Sequence, residues 1–454
     1  MNMKLIPTTA VAMVFCLASC TSDGNETNVN GNTEKEQTTE SQEQRTGRFR
    51  VCSPQANWPL TEAQLQQSDR LNDFSLRLFR CLQEEGKSLV FSPLSLCYAM
   101  GMTGLGCDGV ALKELNEALG LPENDETTLH NLLASLIANL PQLDDKVSLN
   151  LANAYYMNQM RSDVQINPDF RLALQNGYMA GCEILDFSKQ ASLDYINQWC
   201  SDQTKGFIPK VFERLDTSDI SILINALYFM GDWTVPFSSN LTHEGTFTHE
   251  NGKVEKLPMM IHGEAMYFKY AEDKLMQAVR LPYAGGKFGM TILLPCEGKT
   301  TDDILQTLSA EELTKLAKNM KGTNVQMTMP KFETKSTTNL VEPLKQMGLP
   351  SWFSDLCLLR GLMQNLDGTP HGMYISNAFQ VSRIRVNEKG TEAAAVTVME
   401  YTDKAVLNQI FFTADHPFVY LITEETTGTI LFIGTYHGEP TNSGDTTGIQ
   451  PVRL

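Results

Sequence analysis

Apolar and polar positions along this chain repeat with two periods. Leu71, Phe74, Leu78, Phe79 and Leu82 recur at three- and four-residue intervals, which predicts an amphipathic helix over about 62–83. Ser92 ahead of Pro93 is a helix start, a hydroxyl cap followed by a residue with no amide to satisfy. Further helices are expected at about 108–120 and 126–140, with another opening at Asn167-Pro168. Val147 to Met157 alternates with period two and reads as a strand. Ile220 to Met230 is an almost unbroken apolar run, suited to a strand buried on both faces. Asn225 is its one strongly polar member, and a buried amide needs partners. From 243 to 295 short strands alternate with turns: 246–248, 254–260, 266–270, 276–281 and 288–294, with Gly285-Gly286 as a hairpin signal. Helices follow near 301–319, then a strand from Val325 to Phe332 and a short helix from Leu340 to Met347. Phe418–Ile422 and Thr429–Gly434 form a late apolar strand pair.

The two ends read differently. Residues 10–18 are an apolar run after Lys4, too short for a membrane-spanning helix. Leu17-Ala18-Ser19-Cys20 resembles the cleavage and lipidation box of bacterial lipoproteins. Residues 1–19 are therefore expected to be a leader outside the fold, and Cys20 the lipidated first residue. An ordinary secretory signal is the plainer alternative. Residues 20–58 are polar and cannot bury enough surface to offset ordering entropy, so they read as a flexible tether. Residues 440–454 form a second polar tail.

Charge and cysteines narrow the function classes. The formal net charge of −17 argues against a nucleic-acid binder, which needs clustered Lys and Arg. Eight cysteines remain beyond Cys16 and Cys20, without a Cys-x-x-Cys pair, so zinc or thioredoxin-like chemistry has little support and buried free thiols are expected. Gly104-Leu-Gly-Cys-Asp-Gly109 matches a dinucleotide fingerprint but follows a helix instead of a strand. Gly298-Lys-Thr300 has Leu293 where a phosphate loop needs Gly. There is no His-Glu-x-x-His helix and no Gly-x-Ser-x-Gly elbow, so neither an enzyme nor a cofactor or metal site is expected.

One stretch organises the rest. Between Val386 and Asn408, residues Thr391, Ala393, Ala395, Thr397, Met399 and Tyr401 fall on one side of an extended chain. Glu392, Ala394, Val396, Val398, Glu400 and Thr402 fall on the other, and only that side is charged. No turn partner lies nearby. Glu388-Lys-Gly-Thr-Glu-Ala-Ala-Ala395, followed by a variable loop and His416-Pro-Phe-Val, closely resembles the hinge and reactive loop of serpins. Supporting motifs keep the family order: Phe91-Ser92-Pro93-Leu94-Ser95, Thr204-x-Gly206-x-Ile208 and Gly231-Asp232-Trp233.

The resemblance implies an α+β, serpin-like fold: a large mostly antiparallel central sheet, smaller sheets and about eight or nine helices. It would form a single domain over 59–439, with a reactive loop at about 388–416. It implies an irreversible, suicide-substrate inhibitor of serine proteases, not an enzyme. A protease attacks the loop and forms an acyl ester. The freed strand then enters the main sheet, an established switching device of this family. A dozen inserted residues would carry the tethered protease on the order of 40 Å. Glu388, Gly390, Thr391, Glu392, Ala393, Ala394 and Ala395 would be the hinge. Ser92, Ser95, Asn225 and Gln380 would form a polar cluster under the sheet, and Trp233 would mark where insertion begins. At position 380 the family commonly has His; Gln cannot take a positive charge, which puts pH tuning through this cluster in doubt.

Counting from Glu388 places the cut bond at Lys404–Ala405, suited to a trypsin-like pocket. Counting back from Pro417 allows a cut nearer Val406. The expected partners are a serine protease in covalent complex and a lipid anchor, with no nucleic acid and a monomeric state. The expected location is the cell envelope, lipid-anchored, whether outer-membrane, periplasmic or surface-facing. A non-inhibitory envelope binding lipoprotein on the same fold is the alternative.

Overall fold

The computed structural model describes residues 8–19, 58–121, 126–356, 358–389 and 409–438. In chain order the strands begin with β1 (Thr8–Ser19), β2 (Leu89–Phe91), β3 (Val147–Asn158), β4 (Val164–Ile166), β5 (Gly181–Leu185) and β6 (Ser221–Gly231). They continue with β7 (His243–Thr248), β8 (Val254–Ile261), β9 (Met266–Glu272), β10 (Met276–Pro282), β11 (Phe288–Pro295) and β12 (Lys321–Pro330). The last are β13 (Phe332–Asn339), β14 (Met363–Asn365), β15 (Pro370–His371), β16 (Met373–Val386), β17 (Ile410–Thr413), β18 (Phe418–Glu424) and β19 (Ile430–Tyr436). Nine α-helices occur among the described residues. Three matter most below: α1 (Glu62–Leu82), α2 (Pro93–Gly104) and α6 (Gln190–Gln203).

The strands form three sheets. The main sheet has the order β13-β16-β1-β6-β3-β5, with every neighbouring pair antiparallel except β3 and β5. A ten-stranded sheet runs β2-β19-β18-β11-β10-β9-β12-β8-β7, with β17 added parallel to β12. β15, β14 and β4 form the third. Large, mostly antiparallel sheets with segregated helices make the fold α+β, as expected.

Local chemistry explains the helix starts. Thr61 caps α1 in a reciprocal box with Gln64: the Gln64 amide donates to Thr61 Oγ1 at 3.3 Å, and the Thr61 amide donates to Gln64 Oε1 at 2.9 Å. Ser92 Oγ accepts from the Ser95 amide at 3.2 Å, and Pro93 opens α2. All twelve residues of α2 are buried. A helix apolar all round belongs inside, and α2 packs against β1, β6 and β19.

The structure seats part of the expected leader in the middle of the main sheet. Thr8–Ser19 is not outside the fold but forms β1, antiparallel to both β16 and β6. The physical reason is that this run is apolar on both faces of a strand. Val11, Met13, Phe15 and Leu17 enter the main core. Ala10, Ala12, Val14 and Cys16 enter a second core with Phe207, Ile208 and Phe212. An apolar run of this length fits a doubly covered central strand as well as a leader. The tether and the polar tail, 20–57 and 439–454, lie outside the described residues.

β16 and β13 go beyond the expected elements. Gln380, Ser382, Arg383 and Arg385 interrupt the apolar pattern of β16, and its partners are far away in sequence. Among the described cysteines, Cys16, Cys97, Cys107 and Cys200 are buried, Cys182 and Cys296 are half-buried and Cys81 is exposed, so only part of the expected set of buried thiols is buried.

Candidate functional site

The site is a slot between β6 and β16, filled by β1. Register places one row across the sheet: Asn153 opposite Asn225, Asn225 opposite Met13, Met13 opposite Gln380, and Gln380 opposite Thr338. On one side of Met13, Asn225 Nδ2 donates to Asn153 Oδ1 at 2.8 Å. On the other, Gln380 closes a ring with Ser92. The Ser92 amide donates to Gln380 Oε1 at 2.7 Å, and Gln380 Nε2 donates to the Ser92 carbonyl at 3.1 Å. Ser382 Oγ donates to the same Gln380 oxygen at 2.9 Å, and Ser92 Oγ to the Leu431 carbonyl at 2.7 Å.

The four residues expected under the sheet are therefore split. Ser92 and Gln380 bond directly, and Ser95 joins through its amide. Asn225 sits across Met13 from Gln380. Gln380 Nε2 also reaches Met13 Sδ at 3.7 Å, a weak acceptor. Asn225 Oδ1 and Ser95 Oγ are buried without a hydrogen-bond partner.

At the far end of the slot, Ser376 Oγ donates to Asp219 Oδ1 at 2.8 Å and lies 3.1 Å from the Cys16 carbonyl. Burial pushes the Asp219 carboxyl up to about 6, with a further rise from Asp216 against the opposing bonds of Ser376 and Cys16.

The hinge end is held by four contacts. Trp233 Nε1 donates to the Asn387 carbonyl at 2.9 Å, and its ring stacks on Tyr283 at 4.6 Å between centroids. The Phe237 amide donates to the Glu388 carbonyl at 2.8 Å. The Glu388 carboxylate accepts from Thr242 Oγ1 at 2.9 Å and from Lys331 Nζ at 3.1 Å. Burial raises that carboxyl, but its own amide, Lys331 and Thr242 outweigh burial and hold it below the ordinary range. Beside the hinge, Glu333 on β13 bridges Arg383 at 2.6 Å and Arg385 at 2.8 Å on β16. The Arg383 guanidinium lies 4.4 Å from the centre of the Phe207 ring.

Gly390, Thr391, Glu392, Ala393, Ala394, Ala395, the bond Lys404–Ala405, and Cys20 lie outside the described residues.

The serpin family model, described as serine protease inhibitor, matches residues 69–438. The chain belongs to the serpin family. An uncharacterised serpin-like protein of Thermococcus kodakarensis is 31% identical over 372 residues, covering 80% of this chain and 84% of that protein. A leukocyte elastase inhibitor of Xenopus laevis is 30% identical, covering 81% and 98%. Among solved structures, the thermophilic serpin tengpin in its native state aligns with a TM-score of 0.72 at 25% identity, covering 86% of this chain and 98% of that one. Human thyroxine-binding globulin in complex with thyroxine aligns at 0.71 and 24%, covering 82% and 98%, and shares the fold. Members of this family are generally protease inhibitors, not catalysts.

Several serpin site residues escape sequence reasoning. Thr242 and Lys331 reach the Glu388 carboxylate from two other segments, and Asn387 takes the Trp233 bond. Nothing local marks Thr242 or Lys331. Asn153 carries a usable signal, since it is an amide on the apolar register that Val147, Leu149 and Leu151 set in β3.

Proposed function

We propose that this serpin is an irreversible inhibitor of trypsin-like serine proteases, cut between Lys404 and Ala405. The observation that supports the reading best is the slot itself. It accepts a twelve-residue strand antiparallel to both neighbours, which is the form the freed loop must take. On acylation, the protease Ser oxygen bonds to the Lys404 carbonyl carbon, and the amine of Ala405 leaves with a proton. The half-loop before the cut enters the sheet, and the native form before cleavage is held by a kinetic barrier.

The loop sequence suits that entry. Thr391, Ala393, Ala395, Thr397 and Met399 are small or uncharged, and an unpaired buried charge would be costly. When that set faces the row containing Gln380, Glu392 falls on the face that carries Arg383 and Arg385. Gly390 supplies hinge freedom, and no Pro interrupts 388–416. The contacts of Trp233, Lys331 and Thr242 at Asn387 and Glu388 support entry starting there. Lys404 suits a specificity pocket with an acidic floor.

We place this inhibitor in the cell envelope, held by lipid on Cys20 and acting as a monomer. The motif ending at Cys20 supports the anchor; no described helix is long and apolar enough to cross a membrane. The test of the bond is Lys404→Ala. It is expected to abolish trapping of trypsin-family proteases, whereas unchanged trapping would sink the assignment.

A further inference from the structure

β1 fills the same space, in the same direction, that a cut loop would need. β16 ends at Val386, and Thr8 pairs with Arg385 at that end. A chain turning back from Glu388 beside β16 therefore meets the start of β1 first. β1 is twelve residues long, and Gly390 through Tyr401 is also twelve. Ala10 to Leu17 have no exposed surface. The Leu17 carbonyl accepts from the Ile220 amide at 2.7 Å, which ties down the strand's end.

The two candidate strands differ in chemistry. β1 is apolar on both faces between Ala10 and Ala18. The loop carries Glu392 and Glu400 on one of its faces. The loop therefore has less apolar surface to bury and two carboxylates to place, so it does not displace β1 once β1 is seated. β1 also leaves a trace of being a replaceable occupant. Met13 separates Asn225 from Gln380, and Asn225 Oδ1 and Ser95 Oγ stay unpaired at that level.

We infer that Thr8–Ser19 is an autoinhibitory strand: while it occupies the slot between β6 and β16, a cut loop cannot enter and the protease is released instead of trapped. The inference rests on the inhibitory reading above. It makes the inhibitor silent as long as residues 8–19 remain attached and seated. Hydrolysis of the Ser19–Cys20 bond, water adding across it, detaches that strand from the chain.

The test compares the full chain with full chain carrying Val11→Asp and Phe15→Asp, each mixed with trypsin and run on a denaturing gel. A second variant, Val14→Pro, removes a ladder amide from the same strand and serves if the first does not fold. The unmodified chain is expected to be cut with at least ten-fold less covalent complex than either variant. A synthetic peptide of residues 8–19 is expected to suppress the variant's complex. Amide exchange at 10–17 is expected to be slow in the unmodified chain. Equal complex from both chains, or rapid exchange at 10–17, overturns the inference. If neither chain gives complex, yet 10–17 are protected and only the variants gain thermal stability when the loop is cut, the inhibitory reading fails and the blocking strand stands.

Discussion

The indole N–H of Trp233 and the carbonyl of Asn387, 154 residues apart in sequence, meet at 2.9 Å. The bond fixes the last residue before Glu388 to the end of β6, where the chain leaves the main sheet. Trp233 is also stacked on Tyr283 and only 4% exposed, so the ring is held in place before it donates. Trp233→Phe keeps most of the stacking and deletes the donor. It is expected to cost about 1 kcal/mol, the usual net worth of such a bond, measured as a lower urea midpoint. Amide exchange at 387–389 should rise with it. An unchanged midpoint and exchange rate would mean that the bond does not hold the hinge.

Glu388 links three segments, through Lys331 on the turn between β12 and β13 and through Thr242 just before β7. Its carboxyl is held below the ordinary range. The stability this supplies is present above the unfolded carboxyl range and is lost as pH falls through the folded value. Lys331→Met removes the cation and preserves bulk. The expected result is a Glu388 carboxyl that titrates higher, followed by carbon-detected NMR, and a shallower loss of stability in acid. A titration identical to the parent would show that Lys331 has no hold on the group.

Asp219 runs the other way. Its carboxyl is raised to about 6, so the folded chain binds a proton that the unfolded chain has already lost. Stability conferred by this group is full below about pH 4 and declines as pH rises to about 6. The total is at most about 3 kcal/mol. Asp219→Asn is expected to flatten that slope between pH 4 and 6 in the full chain. The readout is the urea midpoint at several pH values, and an unaltered slope would assign the effect to another group.

The alternating face of the loop makes a directional prediction. Ala395→Glu puts a charge on the side proposed to enter the sheet, whereas Ala394→Glu puts it on the side that already carries Glu392 and Glu400. With the slot vacant, Ala395→Glu is expected to turn the inhibitor into a substrate, cut without a covalent band, and Ala394→Glu to retain trapping. The reverse order would invert the facing of the loop. A quantitative gel of complex against cleaved product separates these outcomes.

Much of the fold was legible in local pattern. Ser92-Pro93 marks the start of α2, and the apolar run from Ile220 to Met230 marks β6, because capping and double-sided burial leave their signatures in adjacent residues. Contiguous motifs singled out Glu388 and Trp233, and the structure joins their neighbourhoods through the Trp233–Asn387 bond. The site was obscure where partners converge from separate segments: Lys331 and Thr242 have no local signature. β1 was not among the expected strands for a different reason. An apolar run with nine buried residues suits both a leader and a central strand, and its pairing with β6 and β16 comes from residues far away in sequence.

The most direct measurement takes the chain from Cys20 onward, in which the slot is vacant, and mixes it with trypsin. A denaturing gel and mass spectrometry of the released peptide follow. The proposed mechanism gives a covalent band that survives denaturation, together with a peptide beginning at Ala405. Complete cleavage of the loop without any such band, for trypsin and for elastase alike, would contradict inhibition by trapping and favour a non-inhibitory binding protein on the same fold.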